Sequence, residues 1–303
     1  MSLFSRFVVA TLPVVPKFLV GKVASRYVAG ETLEDALEAV RSLNALGAMA
    51  TVDILGEEVS QRDRADRAVE EYLTLYDALH REGLDANVSI KPTMVGLKID
   101  PVFFEENVTR LVERASSQNN FLRLDMEDRT CTDATLETYR RVHGKFSNLG
   151  VVLQAYMRRT LRDIEELPEE NANVRLCKGI YIEPREDAWK GYETVRRNFV
   201  AALEKLFRRG VYVGIATHDE YLTCAAVELI DRLEIPQDRY EFQMLLGVDQ
   251  QLRDILLAEG HRLRVYVPYG QDWYLYSMRR LRENPEVARH VIRATLAGGR
   301  SSS

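Results

Sequence analysis

Cysteine is scarce in this sequence: Cys131, Cys177 and Cys224 are the only three in 303 residues, and none lies near another. This spacing excludes zinc ribbons and disulfide frameworks, and an odd, sparse count is typical of a reducing cytosol. A basic excess is also missing, because 41 Lys and Arg face 46 Asp and Glu, for a formal charge of −5. Dedicated nucleic-acid binders usually carry a basic excess, so we expect no nucleic-acid partner.

Long apolar runs are absent as well, since none approaches the roughly 20 residues that a membrane-spanning helix needs. The apolar stretch at positions 7–12 follows Arg6, as in a signal peptide, but Pro13 and Pro16 interrupt it. We therefore expect short helices that pack on the domain or touch a membrane surface, not a cleaved signal. This predicts a cytoplasmic protein with at most peripheral contact with the inner face of the cell membrane.

The motifs of common cofactor sites are missing too. The sequence contains neither the Rossmann nor the P-loop glycine pattern, so any nucleotide must be held in another way. Apart from His218, the histidines lie in predicted helices or loops and show no ligand spacing. A metal site is therefore disfavoured.

What the sequence does contain is a regular alternation of short apolar runs and longer amphipathic stretches. Such alternation indicates βαβ units and a parallel sheet. Eight units in about 230 residues fit an α/β protein with a (β/α)8 TIM barrel better than a doubly wound sheet. The predicted strands are Ala48–Leu55, Ala86–Pro92, Phe121–Glu127, Val151–Met157, Asn173–Gly179, Val211–Thr217, Tyr240–Leu246 and Leu263–Tyr269.

We divide the chain into N-terminal helices at 1–46, a barrel at 47–290 and a frayed tail at 291–303. Thr32 and Asp35 form a predicted capping box that opens a helix ending at Leu46. The charged stretches between the strands, predicted as helices, include Arg62–Arg81, Pro101–Ser116 and Arg185–Arg209.

Polar residues cluster near the ends of seven predicted strands. Active sites of parallel barrels lie at the C-terminal ends of the strands, so these residues predict a functional mouth. Other interpretations remain open: the acids after strand three solvate a loop, Arg175 and Lys178 pair with them structurally, or His218 is a buried core histidine. The polar strand-end residues are Ser89, Lys91, Asp125, Glu127, Asp128, Gln154, Arg175, Lys178, Tyr181, Thr217, His218, Asp219, Gln243 and Tyr266.

The stretch after strand eight predicts a helix that begins at Asp272 and ends before Pro285. Tyr276, Arg279, Arg280 and Glu283 follow i, i+3, i+4, i+7 spacing, so they share one face. Two arginines turned toward a barrel mouth can bind a carboxylate or a phosphate, because the planar guanidinium forms paired hydrogen bonds. The alternative is a solvated basic face.

Together these residues resemble proline dehydrogenase in its stand-alone bacterial form. The resemblance runs from about residue 48 to 285, in family order, and the Tyr-x-x-Arg-Arg-x-x-Glu-Asn stretch is highly specific. The motifs that carry it are LDMED at 124–128, RLCKGIY at 175–181, ATH at 216–218, YVPYG at 266–270 and YSMRRLREN at 276–284.

The resemblance implies a distorted TIM barrel that holds non-covalent FAD and oxidises L-proline to Δ1-pyrroline-5-carboxylate by hydride transfer. This is the first step of proline catabolism to glutamate, with electrons passed to a quinone. The sequence shows no aldehyde dehydrogenase domain, so we expect a separate pyrroline-5-carboxylate dehydrogenase to catalyse the second oxidation.

Residue roles follow from the same resemblance. On the substrate side, Arg279, Arg280 and Lys91 would bind the proline carboxylate, with Asp125 beside Lys91 and Tyr276 on the pyrrolidine ring. Tyr181 and Tyr266 would line the pocket, and Glu57 would pair with Arg279. On the flavin side, Arg175 would lie near N(5), and the other FAD-binding residues would be Gln154, Cys177, Lys178, Gly179, Ala216, Thr217, His218 and Gln243.

Three positions depart from the family pattern. Cys177 stands where the family usually has Val, Ile180 replaces an Ala and narrows the pocket, and Asp219 replaces an Asn beside the expected FAD phosphates. Two other functions remain open from the residues alone. One is a Schiff-base aldolase that uses Lys91 or Lys178, at a strand end, as its nucleophile. The other is a non-enzymatic protein that binds an anionic metabolite through the arginines.

Overall fold

Eight parallel strands close into a barrel in the computed structural model, which describes residues 26–274, 276 and 277. Each strand pairs with its neighbours in chain order, and β1 closes the barrel against β8. The strands are β1 Met49–Ile54, β2 Ala86–Ile90, β3 Leu122–Leu124, β4 Leu149–Gln154, β5 Asn173–Cys177, β6 Tyr212–Ala216, β7 Tyr240–Leu245 and β8 Leu263–Tyr269.

The described helices cover the outside of this barrel. They are α1 Leu33–Ala45, α2 Arg62–Arg81, α3 Pro101–Ser117, α4 Arg129–His143, α5 Thr160–Glu165, α6 Tyr192–Arg208, α7 Glu220–Arg232 and α8 Gln250–Ala258, with a 3-10 turn at Gln237–Arg239. The TIM barrel predicted from the alternation is therefore confirmed, and each predicted strand overlaps an observed one.

Local signals set the ends of several helices as predicted. The capping box is present, because Thr32 accepts the Asp35 backbone N–H while Asp35 accepts the Thr32 N–H. α2 has the predicted bounds, and α3 begins at Pro101 after Asp100, whose side chain accepts two backbone N–H groups. Proline suits this first position, since its missing N–H has no helical partner there.

The predicted helix Arg185–Arg209 is wrong at its start, because α6 begins at Tyr192. Residues 185–191 instead form a loop that packs beside β4. Trp189 N–H donates to the carbonyl of Tyr156 at 2.8 Å, and the Trp189 ring stacks under the guanidinium of Arg158 at 3.7 Å. Tertiary contacts here outweigh helix propensity.

The described part of the chain contains no helix with both the length and the apolar composition to cross a bilayer. Residues 1–25, 275 and 278–303 lie outside the described residues. The predicted N-terminal segment before residue 26, most of the helix after Asp272 and the predicted tail fall there, so the domain boundaries stay predictions.

The interior of the barrel is polar, which positions the site. The side chain of Arg175 on β5 contacts Ser89 on β2, Asp125 just after β3 and Gln243 on β7. Because β5 is not adjacent to these strands in the barrel, the side chain must extend through the barrel interior. Barrel interiors are usually filled with branched aliphatic residues. Here alternate positions on several strands carry hydrogen-bonding groups instead, while the residues between them pack under the helices.

Candidate active site

A cavity of about 660 Å³ opens at the C-terminal ends of the strands. This volume lies within the range of small-molecule and cofactor sites. Arg279 and Arg280 lie outside the described residues. The other residues predicted for the site all line the cavity: Glu57, Lys91, Asp125, Gln154, Arg175, Cys177, Lys178, Gly179, Tyr181, Ala216, Thr217, His218, Gln243, Tyr266 and Tyr276.

Lys91 is the centre of the hydrogen-bond network on one side of this cavity. Its Nζ atom lies 2.5 Å from Oδ2 of Asp125, 3.1 Å from Oδ2 of Asp53 and 2.9 Å from the hydroxyl of Tyr266. The hydroxyl of Tyr266 in turn lies 2.5 Å from Asp53 and 3.0 Å from Asp125. An ammonium group has three protons, so these three acceptors account for all of them.

Burial and charge compete in this cluster. Burial disfavours the ammonium of Lys91, but the carboxylates of Asp125 and Asp53 outweigh it and raise its pKa well above the ordinary value. Burial likewise opposes ionisation of Asp125, yet Lys91 and Arg175 hold its pKa below the ordinary value. Asp53 contacts one cation, Lys91, whereas Asp125 contacts two, and burial raises the pKa of Asp53. A Schiff-base nucleophile must be a neutral amine, so the charge on Lys91 argues against Lys91 as the nucleophile of an aldolase.

Arg175 links this cluster to the opposite wall. Its NH1 group donates to Oδ1 of Asp125 at 2.6 Å, its NH2 group to Oγ of Ser89 at 2.9 Å and its Nε to Oε1 of Gln243 at 2.5 Å. The structural pairing of Arg175 with an acid, left open above, is therefore present, and it occurs inside the cavity.

A second charged group lies near the ends of β5 and β6. Asp219 accepts two hydrogen bonds from Arg196, at 2.7 and 2.9 Å, and one each from Lys178 at 3.1 Å and Tyr192 at 2.8 Å. Burial opposes its charge, but these donors together lower the pKa of Asp219 below the ordinary value. Arg196 also pairs with the exposed Glu193 at 3.1 Å, but both cations contact Asp219, so the departure at position 219 is compensated.

Backbone contacts hold the remaining predicted cofactor residues. Nε2 of His218 accepts the backbone N–H of Leu245 at 2.9 Å, and Nε2 of Gln154 donates to the carbonyl of Glu127 at 2.9 Å. Gly179 has a φ of +100°, and a Cβ there would overlap the ring of Tyr156. Only glycine fits this position, since it needs both a left-handed backbone and no side chain.

The predictions missed several cavity residues, of which Asp53 is the most connected. It receives hydrogen bonds from Tyr72 at 3.2 Å, from Lys91 and from Tyr266. Its signal was available in the sequence, because Thr51-Val52-Asp53 alternates polar and apolar residues within an apolar strand. The other missed lining residues are Leu55, Gly56, Met126, Val152, Tyr192, Glu220, Met244, Leu245 and Asp272.

Comparison with known proteins identifies relatives of this chain. Residues 36–293 match the family model described as proline dehydrogenase. The chain is 36% identical over 280 residues to a proline dehydrogenase of Deinococcus radiodurans, covering 91% of this chain and 90% of that protein. It is also 36% identical over 262 residues to proline dehydrogenase 2 of Bacillus subtilis, covering 86% of each.

A solved structure supports the fold. Proline utilization A from Bdellovibrio bacteriovorus superposes with a TM-score of 0.82 at 23% identity, over 87% of this chain and 33% of that one. The chain thus spans about a third of that longer protein.

Proposed function

The chain belongs to the proline dehydrogenase family, and from this premise we propose that the cavity oxidises L-proline to Δ1-pyrroline-5-carboxylate, the first step of proline catabolism. One observation carries the proposal for this site. A cluster inside the barrel mouth consists of Lys91, Asp53, Asp125, Tyr266 and Arg175. It offers charge and hydrogen bonds without an evident nucleophile. Such a site binds and orients a substrate while a cofactor supplies the chemistry.

Members of this family use a flavin, and we propose that here it is FAD. The cavity volume of about 660 Å³ suits a ligand of that size class. Gly179 lines this cavity, and the absence of a side chain there leaves room for the ring of Tyr156. We assign Gln154, Arg175, Cys177, Gly179, Ala216, Thr217 and Gln243 to the flavin side of the cavity.

The phosphate groups of FAD have a suitable place beside Lys178 and Arg196. The helices α6 and α7 begin there, and neither has a side-chain hydrogen bond at its N-cap: the N-cap of α6 is Gly191, and Asp219, the N-cap of α7, points to the two cations. Free helix N-termini favour anions through their unpaired N–H groups and the helix dipole. Tyr192 at the start of α6 and Glu220 at the start of α7 both line the cavity.

We assign the substrate to the other side, against Lys91. A substrate carboxylate would replace the longest ammonium contact, that of 3.1 Å to Asp53, and Arg279 and Arg280 would complete the clamp. Tyr276 would pack on the pyrrolidine ring, with Tyr181 and Tyr266 along the pocket. Glu57 would close the site by pairing with Arg279. Positioning of this kind contributes about 7–11 kcal/mol to lowering a barrier.

A bound flavin would supply a hydride acceptor for C(5), the ring carbon next to nitrogen that does not carry the carboxylate. The residues of this chain must keep the substrate amine neutral, and Arg279, Arg280 and Lys91 around the carboxylate would do so by disfavouring the ammonium form. Arg175 would favour the reduced, anionic flavin through its charge. Asp125 lies between Lys91 and Arg175, so it holds both cations in place.

Reoxidation needs an acceptor, and we propose a quinone, which would bring the protein to the inner face of the cell membrane. The product would pass to a separate pyrroline-5-carboxylate dehydrogenase. The binder and aldolase alternatives make different predictions, because neither requires a coloured protein or consumes proline oxidatively.

The absorbance spectrum of the purified protein tests this function. We expect a yellow protein with about one FAD per chain, released intact on denaturation, and bleaching by L-proline without oxygen. Tetrahydrofuran carboxylate, which lacks the amine, serves as the control ligand and should bind without bleaching. A colourless protein that FAD does not reconstitute, or efficient proline-dependent NAD reduction by the isolated chain, would overturn the proposal.

A further inference from the structure

Below the site, the barrel interior holds a further buried ion pair, between Arg264 on β8 and Glu241 on β7. Arg264 Nε donates to Oε1 of Glu241 at 2.8 Å, and the hydroxyl of Tyr212 donates to Oε2 at 2.8 Å. Arg264 is anchored in turn, because its NH1 group donates to the carbonyl of Ala50 at 2.6 Å. The carboxylate of Glu241 is therefore held from two sides in one orientation.

The amide of Gln243 lies between this carboxylate and Arg175. Its Nε2 donates to Oε1 of Glu241 at 2.5 Å, and its Oε1 accepts from Nε of Arg175 at 2.5 Å. A carboxylate only accepts and a guanidinium only donates, so the amide has a single satisfactory orientation. Gly214 on β6 leaves room for it, because a Cβ there would overlap the amide.

The fixed orientation of the Gln243 amide in turn fixes the guanidinium of Arg175. With Gln243 as acceptor for Nε, and Ser89 and Asp125 as acceptors for the two terminal nitrogens, all three nitrogen atoms of the guanidinium have partners. A planar group held at three points has a fixed plane as well as a fixed position. Glu241 does not line the cavity, so it acts on the reaction through this path of hydrogen bonds or through its charge.

We propose that Glu241 is a positioning residue for proline oxidation: acting through Gln243, it sets the plane in which the Arg175 guanidinium faces the flavin. The inference rests on the proposed function, since it takes Arg175 to lie beside the flavin. Residues at the bottom of the barrel, and not only those at its mouth, would then influence the properties of the cofactor.

The double variant Glu241→Gln with Arg264→Met tests this proposal. In Glu241→Gln alone, Nε of Arg264 would hold the new amide with its oxygen at the Oε1 position, where it still accepts from Gln243. Removing Arg264 as well lets both amides adopt either orientation and leaves the net charge unchanged. We expect kcat to fall about tenfold with KM nearly unchanged, since no substrate contact is touched. The flavin potential should become more negative by about 30 mV, because a tenfold change in a two-electron equilibrium equals 29.6 mV. Tyr212→Phe is the matched control: it removes a hydrogen bond from the other oxygen of Glu241 and should leave the potential unchanged.

Further variants separate the outcomes. If the double variant does not fold, Glu241→Met with Arg264→Met replaces the buried pair by apolar side chains, and the same potential shift is expected. Glu241→Gln alone shows the effect of charge, because Arg264 keeps the Gln243 amide in place, and it should not make the potential more negative. A folded double variant with an unchanged potential overturns the proposal. Arg175→Lys tests the underlying placement: if it shifts the potential and the double variant does not, only this inference fails. If Arg175→Lys shifts nothing, the placement of Arg175 beside the flavin fails, and this inference with it.

Discussion

Nζ of Lys91 and Oδ2 of Asp125 lie 2.5 Å apart, just beyond the ends of the neighbouring strands β2 and β3. The pair joins the two sides of the cavity, because Lys91 also contacts Asp53 and Tyr266 while Asp125 also binds Arg175. Lys91 and Arg175 therefore share one carboxylate. The substrate side and the proposed flavin side are electrostatically coupled through it, so a change at either cation should be felt at the other.

Lys91→Met should reduce kcat/KM for proline by at least about 30-fold. Removing one partner of a buried charge pair costs about 2–5 kcal/mol, and each 1.36 kcal/mol is tenfold in rate. The variant leaves Asp53 and Asp125 facing each other without the ammonium between them. The measurement is kcat/KM together with flavin content, with Lys205→Met as the control, because Lys205 pairs with Glu165 on the outside of the barrel. Equal kcat/KM in both variants would remove Lys91 from the site.

Arg280→Met should also lose at least about 30-fold in kcat/KM for proline, largely in KM, if the arginine binds the substrate carboxylate as the resemblance implies. FAD content should stay near that of the unmodified protein. Arg282→Met is the matched control, since helical spacing predicts that position 282 lies off the face shared by Tyr276, Arg279, Arg280 and Glu283. A solvated basic face predicts a change within about a factor of two for both variants, and inhibition by tetrahydrofuran carboxylate distinguishes the cases independently.

The barrel was predictable from the sequence because its strands are buried on both faces and read as apolar runs. Val211–Ala216 is such a run, and the observed β6 starts one residue later. The start of helix α6 was less predictable, because the charged segment before it, from Arg185, also has a composition typical of helices. The loop before Tyr192 is determined by contacts with Tyr156 and Arg158, residues about 30 positions earlier in the chain.

Site residues were predictable where polar side chains follow apolar strands. They were less predictable where the pairing of two strands determines which residues come into contact. Asp53 lies opposite Pro268 in the register of β1 with β8, which places it beside Tyr266 two positions earlier. No single strand contains that information. The compensation of Asp219 by Arg196 was equally hidden, because Arg196 lies 23 residues before it on another helix. Spacing within one element is visible in a sequence, whereas contacts between elements depend on the closed barrel.

Arg196→Met should weaken FAD binding by about tenfold or more while changing riboflavin binding little. Hydrogen bonds to charged groups contribute about 1.5–3 kcal/mol, and riboflavin has no phosphate for the cation to bind. The variant also leaves Asp219 with Lys178 as its remaining described cation, so a carboxylate is less compensated where the phosphates are proposed to lie. Titration of the reconstituted apoprotein with FAD and with riboflavin measures both affinities. Arg197→Met, the exposed neighbour, is the control, and equal losses for the two ligands would contradict a phosphate contact.

Asp219 should make stability depend on pH in a defined direction. Burial opposes its charge, but Arg196, Tyr192 and Lys178 lower its pKa in the native state, against about 3.9 in the unfolded chain. A lowered native pKa stabilises the fold above the unfolded value, and the contribution is lost as the pH falls through the native value. Asp219→Asn should therefore cost about 1–3 kcal/mol of unfolding free energy at neutral pH, and the difference from the unmodified protein should shrink below about pH 4. Urea unfolding at a series of pH values, with FAD saturating, measures it. Asp231→Asn on the exposed face of α7 is the control and should show no such trend. A difference for Asp219→Asn that stays constant down to about pH 3 would mean that Asp219 is not held ionised by its three donors.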